Sequence, residues 1–368
     1  MRDLPGDLID LRGLGFTALA ALVSELGERP FRAQQIYRGI HKRSAATLGE
    51  LTDVPKALLE ALAARATLSP LAIDLAQEST DGTIKYRLKT SDGKFLEAVF
   101  MPDKDRRTLC VSSQVGCAMG CTFCRTGTMG LIRQLRTGEI VDQIYRVERD
   151  LKARGVPGDP NGRVLTNLVF MGMGEPLHNL DNLLLALSHL LSVEGLALSH
   201  RHITVSTSGL VPEIIRFGRE ATVKLAISLN GTTDAQRTQL MPVNKKYPLK
   251  ALLAACRDFP SKIGRRLTFE YVLLEGHNDS HEDVDRLARI ARSVPAKVNL
   301  IAYNENPGLG FHSPPEPKVQ AFRLALESRG VEVFIRKNRG RDISAACGQL
   351  AVEGMGKRKL RVLESASP

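Results

Sequence analysis

The sequence predicts an α/β protein whose main body is a partial (β/α)6 barrel, with a small N-terminal helical accessory domain and a short β-hairpin unit ahead of it. Three observations lead there. From about residue 108 onward, apolar runs of strand character alternate with amphipathic helical stripes in six strand–helix repeats, the pattern that builds a parallel sheet. Glycines and short polar residues follow those strands in register, as they do at the mouth of a barrel; a doubly wound open sheet is the alternative. Finally, 368 residues with 43% hydrophobic and 25% charged composition suffice for one large domain and a small one. The expected division is residues 1–70 (helical), 71–104 (hairpins), 105–350 (barrel with a C-terminal loop) and 351–368 (a basic tail).

In chain order, Leu19, Leu22, Val23 and Leu26 form one helical stripe stopped by Gly27, and Pro30-Phe31 opens a second helix containing Ile36, Tyr37 and Ile40. Arg29, Arg32, Arg38, Lys42 and Arg43 on this segment read equally as an RNA-phosphate face or a solvated helix face. Residues 71–104 switch to period-two apolar runs separated by Asp81-Gly82 and Asp92-Gly93, the signature of hairpins. Within Phe95-Leu96-Glu97-Ala98-Val99-Phe100, apolar on both faces, Glu97 is expected to be desolvated, which raises a carboxylate's pKa and suits it to proton transfer. The barrel strands are expected at Thr108–Val115, Asn167–Met171, Ile203–Thr207, Val223–Leu229, Leu267–Leu274 and Val298–Tyr303. Between them, Thr137 is expected to cap a helix bearing Ile140, Ile144, Val147 and Leu151, and Val284, Leu287, Ile290 and Ala291 mark another.

After the first barrel strand comes Cys117-Ala118-Met119-Gly120-Cys121-Thr122-Phe123-Cys124, three thiols spaced C-x-x-x-C-x-x-C with no fourth nearby. A 4Fe–4S cluster held by Cys117, Cys121 and Cys124 leaves one iron open to another ligand, whereas a structural zinc site closes with four. The spacing resembles that of the radical S-adenosylmethionine enzymes, in which the cofactor's amino and carboxylate groups take the open iron. After the later strands come Met171-Gly172-Met173-Gly174-Glu175-Pro176, Ser206-Thr207-Ser208-Gly209, Ser228-Leu229-Asn230-Gly231 and Asn304. Each reads singly as a turn or helix cap. Together, in register with the thiol loop, they point to a pocket in which Glu175 faces a bound ammonium group.

The formal charge of +11 points to a polyanionic partner, and its clustering at Arg336, Lys337, Arg339 and Arg341 and at Lys357, Arg358, Lys359 and Arg361 favours nucleic acid. With no tryptophan and 5% aromatic residues, a broad base-stacking platform is not expected. The longest apolar runs stop well short of a membrane span, and Asp3, Pro5, Asp7 and Asp10 are not the start of a secretory signal. Six cysteines, three of them assigned to iron, fit a reducing cytoplasm better than a disulfide-stapled fold. Cys347 lies just past the basic loop, in surroundings that favour a thiolate, while Cys110, in an apolar strand, reads as a small buried hydrophobe, and Cys256 as core packing.

Beyond the thiol loop, Cys110-Val111-Ser112-Ser113-Gln114-Val115-Gly116, the Gly-Met-Gly-Glu-Pro turn, Met241-Pro242-Val243-Asn244-Lys245-Lys246-Tyr247-Pro248, Ala345-Ala346-Cys347-Gly348-Gln349-Leu350 and Gly27-Glu28-Arg29-Pro30-Phe31-Arg32-Ala33 together resemble the RlmN/Cfr family of radical S-adenosylmethionine RNA adenine methyltransferases, on its RlmN side, over nearly the whole chain. The resemblance implies methylation of adenine carbon 2 in 23S rRNA and in some tRNAs by a monomeric enzyme using two S-adenosylmethionine molecules per turnover and a flavodoxin-type reductant. It implies that Cys347 carries the methyl group, that Cys110 releases the product through a transient Cys110–Cys347 disulfide, and that Glu97 is the general base. By the same resemblance Gly174, Glu175, Ser206, Ser228, Leu229, Asn230 and Asn304 contact the cofactor. The family commonly has histidine where this chain has Asn230, so the expected contact there is through the backbone. Two other readings are the sister reaction at carbon 8, and a non-catalytic iron–sulfur or zinc RNA-binding protein in which these residues would be idle.

Overall fold

The computed structural model describes residues 8–68, 71–260, 266–306 and 308–351. The chain opens with strand β1 (Ile9–Asp10), runs through helices α1 (Phe16–Glu25), α2 (Pro30–His41) and α3 (Lys56–Ala63), and returns in β2 (Ala66–Thr67), which pairs in parallel with β1. Leu19, Leu22 and Val23 of the expected stripe pack with Ile36, Ile40, Leu51, Leu58 and Leu62 in a core of their own, separate from the main one. Proline at the first position of α2 costs no hydrogen bond there.

This region docks on the barrel through a buried polar seam. The guanidinium of Arg12 pairs with the carboxylate of Asp142, both almost fully buried. The rings of His41 and His189 stack with centroids 4.1 Å apart, Tyr37 Oη lies 2.8 Å from His189 Nδ1, and His41 Nδ1 lies 3.0 Å from Tyr145 Oη. Burial pushes both imidazoles below their ordinary range, His189 to about 4. The unfolded chain therefore binds protons that the native protein refuses, so stability is fully present above about pH 6.5 and is lost as pH falls toward 4. Asp10, raised by burial to about 6, acts in the opposite sense. Comparison with His189→Gln isolates the histidine: between pH 6.5 and 4 the wild type is expected to lose on the order of 3 kcal/mol more than the variant in urea unfolding. Parallel curves would show that His189 titrates normally.

Three antiparallel strands follow, β3 (Ala72–Glu78), β4 (Ile84–Lys89) and β5 (Phe95–Asp103), with turns at the two Asp-Gly pairs. They do not form a separate layer. β5 pairs antiparallel with β6 (Arg106–Cys110), Val99 opposite Cys110, so the hairpins extend the barrel sheet. Beyond it come β7 (Gln114–Gly116), α4 (Arg125–Thr128), β8 (Leu131–Gln134), α5 (Thr137–Ala153), β9 (Asn167–Phe170), α6 (Leu180–Leu191), β10 (Ile203–Thr207), α7 (Val211–Glu220), β11 (Lys224–Ser228), α8 (Asp234–Leu240), α9 (Leu249–Arg257), β12 (Leu267–Leu273), α10 (His281–Ser293), β13 (Ala296–Ala302), α11 (Glu316–Glu327) and β14 (Val333–Ile335).

The sheet order is β14-β13-β12-β11-β10-β9-β6-β5-β4-β3. From β6 to β14 every neighbour is parallel and the order never reverses. Each crossover thus steps the same way and the helices collect on one face, which is the winding of a partial barrel and not of a doubly wound sheet. The expected six strands are present, and the short β14 adds a parallel strand beyond them.

Two local expectations are corrected. Thr108–Val115 is not one strand: β6 ends at Cys110, and β7 leaves the sheet to pair with β8. The break is held at Ser112, whose hydroxyl donates to Glu97 O (2.5 Å) and accepts from Met173 N (2.8 Å), while its own amide and carbonyl both bond the Gln143 side chain (2.9 Å each). Thr137 lies inside α5; the cap is Arg136, whose amide is taken by the Glu139 carboxylate at 2.9 Å, and the Thr137 hydroxyl reaches Asn182 instead. Among the described residues no helix is long and apolar enough to cross a membrane. The basic cluster at Lys357 to Arg361 lies outside the described residues.

Candidate active site

The thiol loop leaves β7 through Gly116, whose φ of +76° and whose contact with Gly130 leave no room for a side chain: a Cβ there would stand 2.0 Å from Gly130 O. Cys117 N then donates to Gly130 O at 2.9 Å, and Cys124 N to Cys121 O at 3.2 Å. Cys117, Cys121 and Cys124 all line one cavity of about 170 Å³ at the C-terminal ends of the parallel strands. Burial pushes Cys117 up to about 12 and raises Cys121 and Cys124, and each thiol also suffers from the charge of another. Three crowded thiols that resist ionisation individually are what a cationic iron core converts to thiolates on binding.

The opposite wall is the glycine-rich turn after β9. Gly174, at φ +98°, packs on Gln114, where a Cβ would come within 2.5 Å of the Gln114 side chain. Glu175 is buried, its carboxylate accepting Ser208 N at 2.7 Å and Leu177 N at 3.1 Å, and burial raises its pKa. Gly174, Glu175, Ser206, Ser228, Asn230 and Asn304 all reach the cavity, with the hydroxyls of Ser206 and Ser228 3.4 Å apart across neighbouring strands. Leu229 does not: it points into the core while its amide donates to Glu270 O. Asn230 takes a left-handed conformation, φ +52°, and its side chain is spent on the scaffold, accepting Val272 N at 2.9 Å and donating to Met241 Sδ. Buried Asn304 Oδ1 and Glu270 Oε2 have no hydrogen-bond partner among the described residues. Orphaned polar atoms around a cavity fit a polar ligand that completes them.

Cys347 lines this cavity and also a crevice of about 20 Å³ behind it, where Cys110 is exposed to it. That is room for about one water molecule and not for a nucleobase. Both thiols are free. The Cys347 loop is tied to the thiol loop, since Gly348 O accepts Arg125 N at 2.8 Å and Leu350 O accepts the Thr126 hydroxyl at 2.6 Å. Asn304 Nδ2 donates to Cys347 O at 3.4 Å. Cys110 is pushed up to about 12, by burial first and by Cys347 second. Glu97 lines neither cavity. It shares a sheet face with Val99 and Cys110, its carboxylate accepting Ala351 N at 3.0 Å with Lys85 Nζ 3.6 Å away, and burial raises its pKa. Cys256 is buried in the main core, as expected.

Two charged residues of the cavity lie outside the site residues that the sequence indicates. Glu270, in the middle of apolar β12, carries the same signal that marked Glu97 in β5. Arg336 was assigned to a phosphate-binding loop, but its side chain turns inward, while Arg339 pairs with Asp103 at 2.9 Å and Lys337 is exposed.

Thiols after the first barrel strand and a glycine-rich turn after the second, facing each other across one cavity, define a radical S-adenosylmethionine enzyme. Residues 111–288 match the Radical SAM superfamily, so the protein works with a 4Fe–4S cluster and S-adenosylmethionine, and the cavity residues fit both. Residues 9–68 match the ribosomal RNA large subunit methyltransferase N-terminal domain. The chain is 60% identical over 351 residues to the dual-specificity RNA methyltransferase RlmN of Anaeromyxobacter dehalogenans, covering 95% of this chain and 94% of that protein. It is 48% identical to the protein of the same name from Geobacter sulfurreducens, covering 93% and 92%. The fold matches the crystal structure of a radical SAM methyltransferase from Sphaerobacter thermophilus with a TM-score of 0.87 and 43% identity, covering 93% and 99%. The chain belongs to the RlmN family of methyltransferases.

Proposed function

We propose that the protein methylates carbon 2 of adenine in 23S rRNA and in tRNA, with Cys347 as methyl carrier, Cys110 as resolving thiol and Glu97 as general base. The observation that carries this reading is the position of Cys347 on the wall shared by the main cavity and the Cys110 crevice. When bound, the cluster and two S-adenosylmethionine molecules supply a methyl group for a thiolate and a radical that activates the methyl once parked. The chain does the rest. Cys117, Cys121 and Cys124 hold the iron, and Glu175 with Gly174, Ser206, Ser228, the Leu229–Asn230 backbone and Asn304 holds the cofactor. Cys347 presents the carbon to the base, Glu97 takes the proton, and Cys110 takes over the Cys347 sulfur.

The names of the relatives, dual-specificity RNA methyltransferases, support two RNA substrates. Residues 1–70 act as the accessory RNA-binding domain, where Arg29 and Lys42 are exposed while Arg38 and Arg43 are engaged by Glu194 and Asp53. A flavodoxin-type protein reduces the cluster, and the enzyme works as a monomer in the cytoplasm, away from membranes. Anaerobically reconstituted protein incubated with 23S rRNA and with tRNA, followed by nucleoside mass spectrometry, is expected to yield 2-methyladenosine. 8-Methyladenosine would transfer the chain to the sister activity, and no methylated nucleoside would overturn the reading.

A further inference from the structure

Arg336 separates from the basic loop in which the sequence places it. Its amide donates to Leu300 O at 2.9 Å, fixing the backbone beside β13, and its side chain enters the barrel, where Nη1 lies 3.2 Å from Met171 Sδ. It lines both the main cavity and the crevice, in each of which Cys347 is also part of the wall. The charges it feels are those of Cys347 first, then Glu270 and Cys110. Glu270, on the far side, accepts Asn299 Nδ2 at 2.9 Å through Oε1 and keeps Oε2 without a partner. Of the other cations of that loop, Lys337 and Arg339 reach only the crevice, Lys337 being exposed and Arg339 tied to Asp103, whereas Arg336 also lines the main cavity.

We propose that Arg336 is a positioning residue for the two-thiol chemistry: its guanidinium, backed by Glu270 and set in the wall between the two cavities, is the fixed positive charge beside which Cys347 reacts. This rests on Cys347 being the methyl carrier. In methyl loading, the Cys347 sulfur forms a bond to the methyl carbon as the sulfonium–methyl bond breaks, its electron pair stays on the departing sulfur, and the thiolate and sulfonium charges cancel. A thiolate in a protein cavity is stabilised by a positive charge held beside it. Arg336 also stands beside Cys110, so one guanidinium serves whichever sulfur is anionic, at the start of the cycle and again when Cys110 attacks Cys347.

The test reads local charge directly. Cluster-loaded protein is alkylated anaerobically with iodoacetate or with neutral iodoacetamide, and modification of Cys347 is followed by peptide mass spectrometry. A fixed cation accelerates the anionic reagent relative to the neutral one, so Arg336→Met is expected to lower the iodoacetate-to-iodoacetamide rate ratio at Cys347 at least about fivefold. Arg336→Lys is expected to restore most of it, and methyl loading of Cys347 is expected to fall and recover in parallel. An unchanged ratio in Arg336→Met, whether or not methyl loading falls, overturns the proposal, because a loss without a charge effect reports loop packing. The carrier assignment is judged separately by whether wild-type Cys347 becomes methylated at all.

Discussion

Cys110→Ala protein is expected to be isolated covalently joined to RNA. In this variant Cys347 can still be loaded and its carbon can still add to adenine, since neither step uses the crevice. What is missing is the second sulfur. On the proposed roles, the Cys110 sulfur attacks that of Cys347, the sulfur–carbon bond breaks, and its electron pair goes to the methylene, which takes a proton and becomes the methyl product. Without Cys110 the adduct has no exit, because the crevice beside Cys347 offers room for about one water and no other thiol among the described residues lines it. The adduct is visible as a nuclease-sensitive species of raised mass on a denaturing gel, and RNA product falls to background. Cys347→Ala behaves oppositely, with neither methylated protein nor adduct. Normal turnover by Cys110→Ala without attached RNA would return that cysteine to a packing role.

Replacing a single thiol of the loop is expected to remove the metal entirely while leaving the fold. Wild-type protein prepared anaerobically should carry about four irons, and Cys121→Ala close to none, since two remaining thiolates cannot retain the cluster. Cys121 is on a loop above the sheet and packs only at the edge of a small cluster with Phe123, Leu240 and Tyr303, apart from the main core. Far-UV circular dichroism and the unfolding midpoint should therefore change little. The measurements are iron analysis and the visible absorbance of the cluster, and with the cluster gone the variant should not cleave S-adenosylmethionine. Retention of about four irons by Cys121→Ala would show that the thiol is not a ligand.

The parallel strands were legible because both their faces are covered. The sequence places Ile203–Thr207 to the residue and Leu267–Leu273 to within one. The break after Cys110 was not legible, because Cys110 to Val115 stays strand-like in composition while its hydrogen-bond partners change from β9 to β8, a non-local event. Glu97 was found because a carboxylate inside an apolar strand is a local anomaly. Glu270 is the same anomaly, but it stands beside no recognised motif. Leu229 and Arg336 show a further limit. The sequence puts Leu229 among the cofactor contacts and Arg336 in a phosphate-binding loop, yet side-chain direction decides which one enters the cavity, and direction is set by sheet register and by loop anchoring that composition does not encode.

The bonds at Ser112 have a consequence for precision. One residue holds the strand that bears Glu97, the turn that bears Gly174 and Glu175, and helix α5 through Gln143, while its chain neighbours lead back to Cys110 and forward to the thiol loop. A surveyor would call it a common datum. It is the relative placement of such groups that matters to reactions requiring atoms to meet within about 3–3.5 Å. The strand of Glu97 and the turn of Gly174 and Glu175 therefore share one reference point instead of being fixed through separate loops.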